Sequence, residues 1–404
     1  MSRVVILGTG MQGKATLFDL VKNGGVEEII AADRDIGPLQ QHVKSLKADN
    51  VRAAQLDAAD PASIRKLLKG ADVVIDLLPG MFALSVAELA VENGVSLVNA
   101  MYLANPGETD QKKREALHQR VHSLDKRARE MQVAVLPEMG MDPGLDLVLS
   151  GEVVRQLDET VEFWSYGAGF PEPEAANNPI QYKITWSFDG VLRSYVRPGR
   201  FLRDGKIVEV GATEVFSPQN THIVEFDGVG RLEAFPNGDA THYAKLLGIE
   251  KTVRTMGRYV LRWPGHCDFW GRLAKLGFLS DTPIEVKGQT VVPREFVGTL
   301  LEPQVHYTDT ERDIALISVD ARGYKNGAKK RATCLVIDRR DLKTGFTAMA
   351  RTTGFTASIG AQMILDGSIS QHGVLSPVSD VPFAPFVEAL GKRGIEVKSA
   401  IEPW

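Results

Sequence analysis

The stretch Arg3-Val-Val-Ile-Leu-Gly-Thr-Gly-Met-Gln-Gly13 decides the fold. A short apolar run, Arg3 to Leu7, leads into Gly8, Gly10 and Gly13, spaced as GxGxxG, and a helical pattern follows from about Lys14 to Lys22. Each glycine has a task in such a loop. Gly8 permits a tight turn, Gly10 lets a pyrophosphate approach the backbone, and Gly13 lets helix and strand pack closely. Met11 and Gln12 then stand at the helix N-terminus, whose free N–H groups favour phosphate. Asp33 follows Gly13 by twenty residues, at the end of the second apolar run. A carboxylate there accepts hydrogen bonds from the adenosine ribose hydroxyls and repels a 2′-phosphate, so NAD is the expected cofactor. Arg34, next to it, suits a 2′-phosphate instead and keeps NADP as the alternative. Asp57, just past the run Val51–Gln55, is assigned to the cofactor as well.

Outward from this loop, strand and helix patterns alternate. Apolar runs at Glu28–Ala32, Val51–Gln55, Asp72–Asp76, Ser96–Asn99 and Val133–Leu136 are separated by helical stretches at Gln40–Ala48, Pro61–Lys69, Ala83–Asn93 and Lys112–Met131. That alternation predicts βαβ units, hence a Rossmann-type, doubly wound parallel sheet. Ligands of such sheets sit beyond the carboxyl ends of the strands. Leu77, Leu78 and Pro79 therefore line the nicotinamide side, and Tyr102 stands on the same rim. Glu138-Met-Gly-Met-Asp-Pro-Gly-Leu-Asp146 ends the next strand. Here Asp142 reads as an N-cap and Pro143 as the first helical residue.

After about residue 157 the texture changes. Val161–Tyr166, Tyr182–Trp186, Ile314–Val319 and Ala332–Ile337 alternate apolar and polar residues, as half-buried, usually antiparallel strands do. Lys325-Asn-Gly327 signals a hairpin. A helical pattern returns at Ala357–Asp366. The fold class is α/β: a dinucleotide-binding domain over 1–141, and a second α+β domain over 142–354 with a mostly antiparallel mixed sheet. Residues 355–404 are expected to pack back on the first domain.

The chain has 404 residues, 44% hydrophobic and 24% charged, and a net charge of −4. That balance fits a globular protein and argues against a nucleic-acid binder. No apolar run reaches the roughly 18 residues a membrane span needs, and the N-terminus turns glycine-rich too early for a signal peptide. Cys267 and Cys334 have no metal-ligand spacing, and a reduced, cytoplasmic setting is expected. His118 and His122 lie in a charged stretch and read as a solvated helix face rather than a metal site.

Several motifs together resemble the saccharopine dehydrogenases that form glutamate, also called saccharopine reductases. They are Ser165-Tyr-Gly-Ala-Gly-Phe-Pro-Glu-Pro-Glu174, Asn177-Asn-Pro179, Tyr182-Lys-Ile-Thr-Trp-Ser187, Asp204-Gly-Lys-Ile-Val-Glu-Val210, Phe235-Pro-Asn-Gly-Asp-Ala-Thr241, Arg258-Tyr-Val-Leu-Arg-Trp-Pro-Gly265, the Glu138–Asp146 turn, and Thr347-Ala-Met-Ala-Arg-Thr-Thr-Gly354. The resemblance implies a second domain for substrate binding and dimerisation, a homodimer, and NAD(P)-dependent oxidation of the secondary amine of saccharopine. It implies that Met141, Asp142 and Pro143 touch the cofactor near the reacting centre, that Tyr102 faces the substrate and that Arg258 lies in the substrate region. Two features depart from the eukaryotic enzymes: Gly238 stands where they carry an arginine, and a helical insertion is missing. Lysine 6-dehydrogenase, with an Arg-Gly-His element like Arg262-Trp-Pro-Gly-His266, is the close relative that gives the alternative reading. A polyamine-forming carboxyamine dehydrogenase is a third.

Hydride leaves a carbon beside nitrogen only when the amine is uncharged, so the site needs acid–base groups. Asp142 and Tyr102 are the catalytic candidates. Gly167, Lys183, Arg258, Arg262 and His266 are the substrate candidates beside Tyr102. The two arginines share one strand face and suit amino-acid carboxylates, whereas a lysine desolvated near other cations titrates near neutrality. Trp186 is placed over the nicotinamide. From another class, a non-catalytic dinucleotide sensor would use the same loop.

Overall fold

A computed structural model describes residues 2–108 and 110–404. Two compact units emerge, Met1–Glu152 with Ala350–Val397, and Val153–Met349 with Lys398–Trp404. The first begins with β1 (Arg3–Leu7), α1 (Met11–Asn23), β2 (Glu28–Asp33), α2 (Ile36–Leu46), β3 (Val51–Gln55) and α3 (Pro61–Leu68). It continues with β4 (Val73–Asp76), α4 (Ala83–Glu92), β5 (Ser96–Asn99), α5 (Gln111–Glu130), β6 (Ala134–Leu136) and α6 (Leu145–Arg155). The second holds β7 (Glu159–Pro171), α7 (Phe188–Ser194), β8 (Gly199–Arg203), β9 (Lys206–Val210), β10 (His222–Phe226), β11 (Gly230–Pro236), α8 (His242–Leu246) and β12 (Thr255–Arg262). After these come α9 (His266–Lys275), β13 (Ile284–Val286), β14 (Gln289–Val291), α10 (Pro293–Leu301), β15 (Asp313–Lys325) and β16 (Ala328–Arg339). The chain closes with α11 (Ala348–Leu365), β17 (Gly373–Val374), α12 (Pro377–Asp380), α13 (Phe383–Lys392) and β18 (Lys398–Pro403).

Among the described residues the first sheet runs β17-β6-β5-β4-β1-β2-β3, all parallel. Its central strands carry near-continuous apolar runs because both faces are covered: Val4, Val5, Ile6 and Leu7 are all fully buried. Ile64 and Leu68 of α3, Val86 and Ala90 of α4, and Leu124 and Ala128 of α5 close one face. On the other, Gly360 of α11 approaches Val98, Leu136 and Met139. At Gly354 the same helix crosses α1 so closely that a Cβ would lie 2.6 Å from the Gln12 carbonyl, and Thr16 Oγ1 donates to the Gly354 carbonyl at 3.0 Å. Helix α11 thus completes the doubly wound unit.

The second sheet runs β10-β11-β12-β7-β15-β16-β18, with β8 against β12 and β9 against β8. Only the β12–β7 pair is parallel among the described residues. The Asn326-Gly327 turn joins β15 and β16, both residues having positive φ (51° and 75°), as a type I′ hairpin requires.

Three local expectations are corrected. Tyr182–Trp186 forms no strand. The Asn178 side chain takes its place as partner, Nδ2 donating to the Tyr182 carbonyl at 2.7 Å and Oδ1 accepting the Tyr182 N–H at 3.2 Å. Helix α6 starts at Leu145, so Asp142 is not its N-cap and Pro143 is not helical. Gly144, with φ 140°, lies outside helical space, and its N–H donates to Asp146 Oδ1 at 2.8 Å. Helix α11 begins at Ala348 rather than Ala357, because Asp313 caps it: Oδ1 and Oδ2 accept the Ala348 and Met349 N–H groups at 2.7 and 3.0 Å.

Candidate functional site

The three glycines of the first loop differ in what surrounds them. A Cβ on Gly8, whose φ is 89°, would lie 2.9 Å from the Leu77 carbonyl oxygen, and one on Gly13 would lie 2.0 Å from that of Gly8. A Cβ on Gly10 would meet nothing within 4 Å. Packing therefore demands glycine at the first and third positions. The second leaves bare backbone at the N-terminus of α1, a cradle that fits a diphosphate. Met11 is exposed beside it and Gln12 is half-buried.

Asp33 closes over this loop from the end of β2. Its Oδ2 accepts from the Thr9 backbone N–H at 2.6 Å and from Thr9 Oγ1 at 3.0 Å, and Oδ1 accepts the Asp35 N–H at 3.0 Å. Burial works to raise its carboxyl, but the Asp35 and Thr9 donors outweigh it and hold it below the ordinary range. An anion is therefore fixed beside the glycine loop. Arg34 is exposed next to it. Asp57 Oδ1 accepts the Ala59 N–H at 2.9 Å, and the Asp57 backbone N–H donates to Ser63 Oγ of α3 at 3.2 Å.

The rim continues through the ends of β4, β5 and β6. Leu77 N–H donates to the Leu7 carbonyl at 2.8 Å, and this places Leu77, Leu78 and Pro79 beside the glycine loop. Asp76, buried at the end of β4, bonds to Asn99 at the end of β5. Tyr102 and Asp142, both half-buried, lie on the loops beyond Asn99 and Leu136. Met141 and Pro143 are buried between Gly140 and α6, where the Leu145 N–H donates to the Gly140 carbonyl at 2.9 Å.

In the second unit β12 carries Arg258 and Arg262, both buried, on one face. Arg258 lies over the Tyr243 ring at 4.0 Å. Arg262 lies over the Tyr182 ring at 4.9 Å and donates to its neighbour's carbonyl, Leu261, at 2.8 Å. Its Nε has no hydrogen-bond partner, and neither do the hydroxyls of Tyr182, Tyr195 and Tyr307 or His266 Nε2. Tyrosines 182, 195 and 307 and His266 all act electrostatically with this guanidinium, and no carboxylate within ion-pair distance answers it among the described residues. Burial first, then Arg262, push His266 well below its ordinary value, so the ring is neutral. A buried cation with unpaired donors around it is costly on its own and suits an incoming anion.

The other substrate candidates divide. Lys183 is buried against both oxygens of Glu311 at 2.6 Å, so an opposite charge, not further cations, is its neighbour. That ammonium, with Thr308 N–H and Asn177, outweighs burial and holds the Glu311 carboxyl down at about 2. Gly167 is buried in mid-strand opposite Val260 and Ile317. Trp186 is over a third exposed, its ring seated where a Cβ on Gly190 would be, 2.5 Å away. Sequence reading missed Tyr195, Tyr307 and Glu311, which reach these groups from segments with no local motif.

A model of the saccharopine dehydrogenase NADP binding domain matches residues 4–136, and one of the saccharopine dehydrogenase C-terminal domain matches residues 140–395. The chain is 26% identical to the mitochondrial alpha-aminoadipic semialdehyde synthase of Mus musculus over 97% of its own length and 47% of that protein's. It thus spans about half the length of the curated relatives it matches first. To the NADP(+), L-glutamate-forming saccharopine dehydrogenase of Schizosaccharomyces pombe it is 24% identical over 99% of both chains. The fold is that of the apo saccharopine dehydrogenase (L-Glu forming) from Saccharomyces cerevisiae, with a TM-score of 0.84 at 23% identity over 100% of both chains.

Proposed function

The chain belongs to the saccharopine dehydrogenase family, and from that premise we propose that it oxidises the secondary amine of saccharopine with a nicotinamide dinucleotide. Saccharopine, water and NAD(P)+ give glutamate, aminoadipate semialdehyde, NAD(P)H and a proton, and the reaction is reversible. The observation that carries this reading is the match of both family models to consecutive parts of one chain whose glycine loop is open at Gly10.

The bound dinucleotide supplies the hydride acceptor. Gly8, Gly10, Met11, Gln12 and Gly13 hold its diphosphate, Asp33 its ribose, and Leu77, Leu78 and Pro79 its ring end. The anionic Asp33 favours NAD, and Arg34 is the group that would serve NADP. Asp142 takes the proton from the substrate ammonium so that the nitrogen lone pair can support the forming imine, and Tyr102 hydrogen-bonds the same nitrogen. The buried arginines of the second unit hold substrate carboxylates, Arg262 foremost because its charge is unanswered. We assign this unit to substrate binding and to dimerisation in a cytoplasmic homodimer. Its half-buried aromatic face of Trp164, Tyr166, Phe226 and Trp263 supports the second role.

Gly238 and a carboxyaminopropylagmatine dehydrogenase of Synechocystis, 22% identical over the whole chain, keep a second amine substrate in view. The test offers NAD+ and NADP+ with saccharopine, lysine and a carboxyaminopropyl amine in turn and follows the absorbance of the reduced nicotinamide. Reduction with saccharopine is the expected result. Reduction only with another amine would replace the substrate, and dinucleotide binding with no reduction at all would make the protein a sensor. Asp33→Ala should raise the KM for NAD+ about tenfold and leave turnover at saturating cofactor nearly unchanged.

A further inference from the structure

Asp76 is 1% exposed at the carboxyl end of β4, opposite Leu7 on one side and Asn99 on the other. No cation is among the groups that act on it, and burial pushes its carboxyl up to about 7. Such a group is expensive to keep, yet both its oxygens are used. Oδ1 accepts the Leu78 N–H at 3.0 Å, and Oδ2 accepts from Asn99 Nδ2 at 2.7 Å. The Asn99 side-chain oxygen in turn accepts the Met101 N–H. The backbone carries the chain onward: Met139 N–H donates to the Asn99 carbonyl at 2.8 Å, and Glu138 N–H to the Met101 carbonyl at 3.1 Å. Glu138 is held there at φ 61°. One carboxylate therefore stands at the head of a relay through three successive strand ends.

We propose that Asp76 is the positioning residue for the ring end of the dinucleotide, fixing the direction of the Asn99 amide and through it the loops that carry Leu78, Tyr102 and Met141. The proposal rests on the dinucleotide reading above. Its logic is one of donors and acceptors. Ionised, as it is above about pH 7, the Asp76 carboxylate only accepts, and the Met101 N–H only donates, so an amide between them satisfies both in one orientation alone. Asp76→Asn places an amide N–H against the Asn99 amide. If Asn99 turns to accept it, its NH2 faces the Met101 N–H and that buried donor loses its acceptor. Asp76→Asn combined with Asn99→Asp reverses the side-chain bond and restores every partner: the new amide donates to the new carboxylate, whose other oxygen accepts the Met101 N–H.

The test is calorimetric titration of the full chain and its variants with NAD+ and with ADP-ribose, which lacks the nicotinamide. Asp76→Asn should weaken NAD+ by about tenfold or more and leave ADP-ribose binding unchanged, and the double variant should bind NAD+ as the unaltered chain does. If the single variant does not fold, the double variant still decides, since it alone should fold and bind. Equal weakening of NAD+ and ADP-ribose, an unchanged NAD+ affinity in Asp76→Asn, or a double variant no better than the single would overturn the proposal. Failure of the unaltered chain to bind either ligand would instead overturn the dinucleotide reading, and this proposal with it.

Discussion

Arg393 closes a two-pronged ion pair on Asp19, Nε to Oδ1 at 2.6 Å and a terminal nitrogen to Oδ2 at 2.8 Å, across 374 residues of sequence. Both side chains are buried, and Asn23 and Gln362 complete the carboxylate's bonds at 2.8 and 3.2 Å. The pair ties the segment after α13 to α1, the helix that bears the glycine loop. Arg393→Leu leaves a buried anion unanswered and should cost about 3–5 kcal/mol. Adding Asp19→Asn should recover part of that. Urea unfolding of the three proteins measures it; a loss below about 1 kcal/mol for Arg393→Leu would mean the pair is idle.

The glycine loop should separate folding from binding. Gly13→Ala drives a Cβ to within 2.0 Å of the Gly8 carbonyl, so helix and strand must part and both stability and dinucleotide affinity fall. Gly10→Ala meets open space in the protein. It should keep the melting temperature and lose affinity, because the methyl group occupies the approach to the phosphate. Unfolding curves and NAD+ titrations on the same samples check this. Equal affinity in Gly10→Ala would remove the diphosphate from this loop.

Arg262 gives the converse separation. Its buried charge has no carboxylate partner, so Arg262→Met should cost little or no stability. The same change should raise the KM for the amino-acid substrate about a hundredfold, the loss of one charge-assisted, desolvated contact. Dinucleotide affinity should stay as it was. A KM that does not move would leave the cation without a role in substrate binding.

Asp76 ties stability to pH. Its folded carboxyl lies at about 7 against an ordinary 3.8, so the folded chain holds the proton more tightly than the unfolded one. Stability from this group is whole below the unfolded value and is lost as pH rises through about 7. The loss is on the order of 4 kcal/mol by the end of that window. In Asp76→Asn the stability difference between about pH 4 and pH 8 should shrink accordingly, as denaturant midpoints across that range will show. An unchanged pH slope would mean that Asp76 titrates normally.

Local chemistry made the first unit readable. Gly8, Gly10, Gly13 and Asp33 act through turns and strand ends, and the apolar runs Val4–Leu7 of β1 and Val73–Ile75 of β4 follow from burial on both faces. Legibility stopped where a partner lies far along the chain. Tyr182–Trp186 alternates like a strand, yet Asn178 and the Val305 carbonyl, which accepts the Ile184 N–H at 2.7 Å, take the bonds a ladder would need. The start of α11 is set by Asp313, 35 residues upstream of Ala348. Asp142 was legible as part of a turn, but the positive φ of Gly144 moved the helix start past it. Likewise the arginines of β12 were visible as a pair, whereas the ring of tyrosines around Arg262 exists only once β12, α7 and the segment before β15 are packed. The Asp76–Asn99 bond needs the β4–β5 register, which no local pattern states.

The central claim is that a carbon–nitrogen bond between two amino-acid halves is oxidised and then hydrolysed. Its most direct test is product analysis after incubation of the purified chain with saccharopine and NAD+ or NADP+. One glutamate should appear for each dinucleotide reduced, with no ammonia. Release of ammonia from lysine, with saccharopine left intact, would contradict the account.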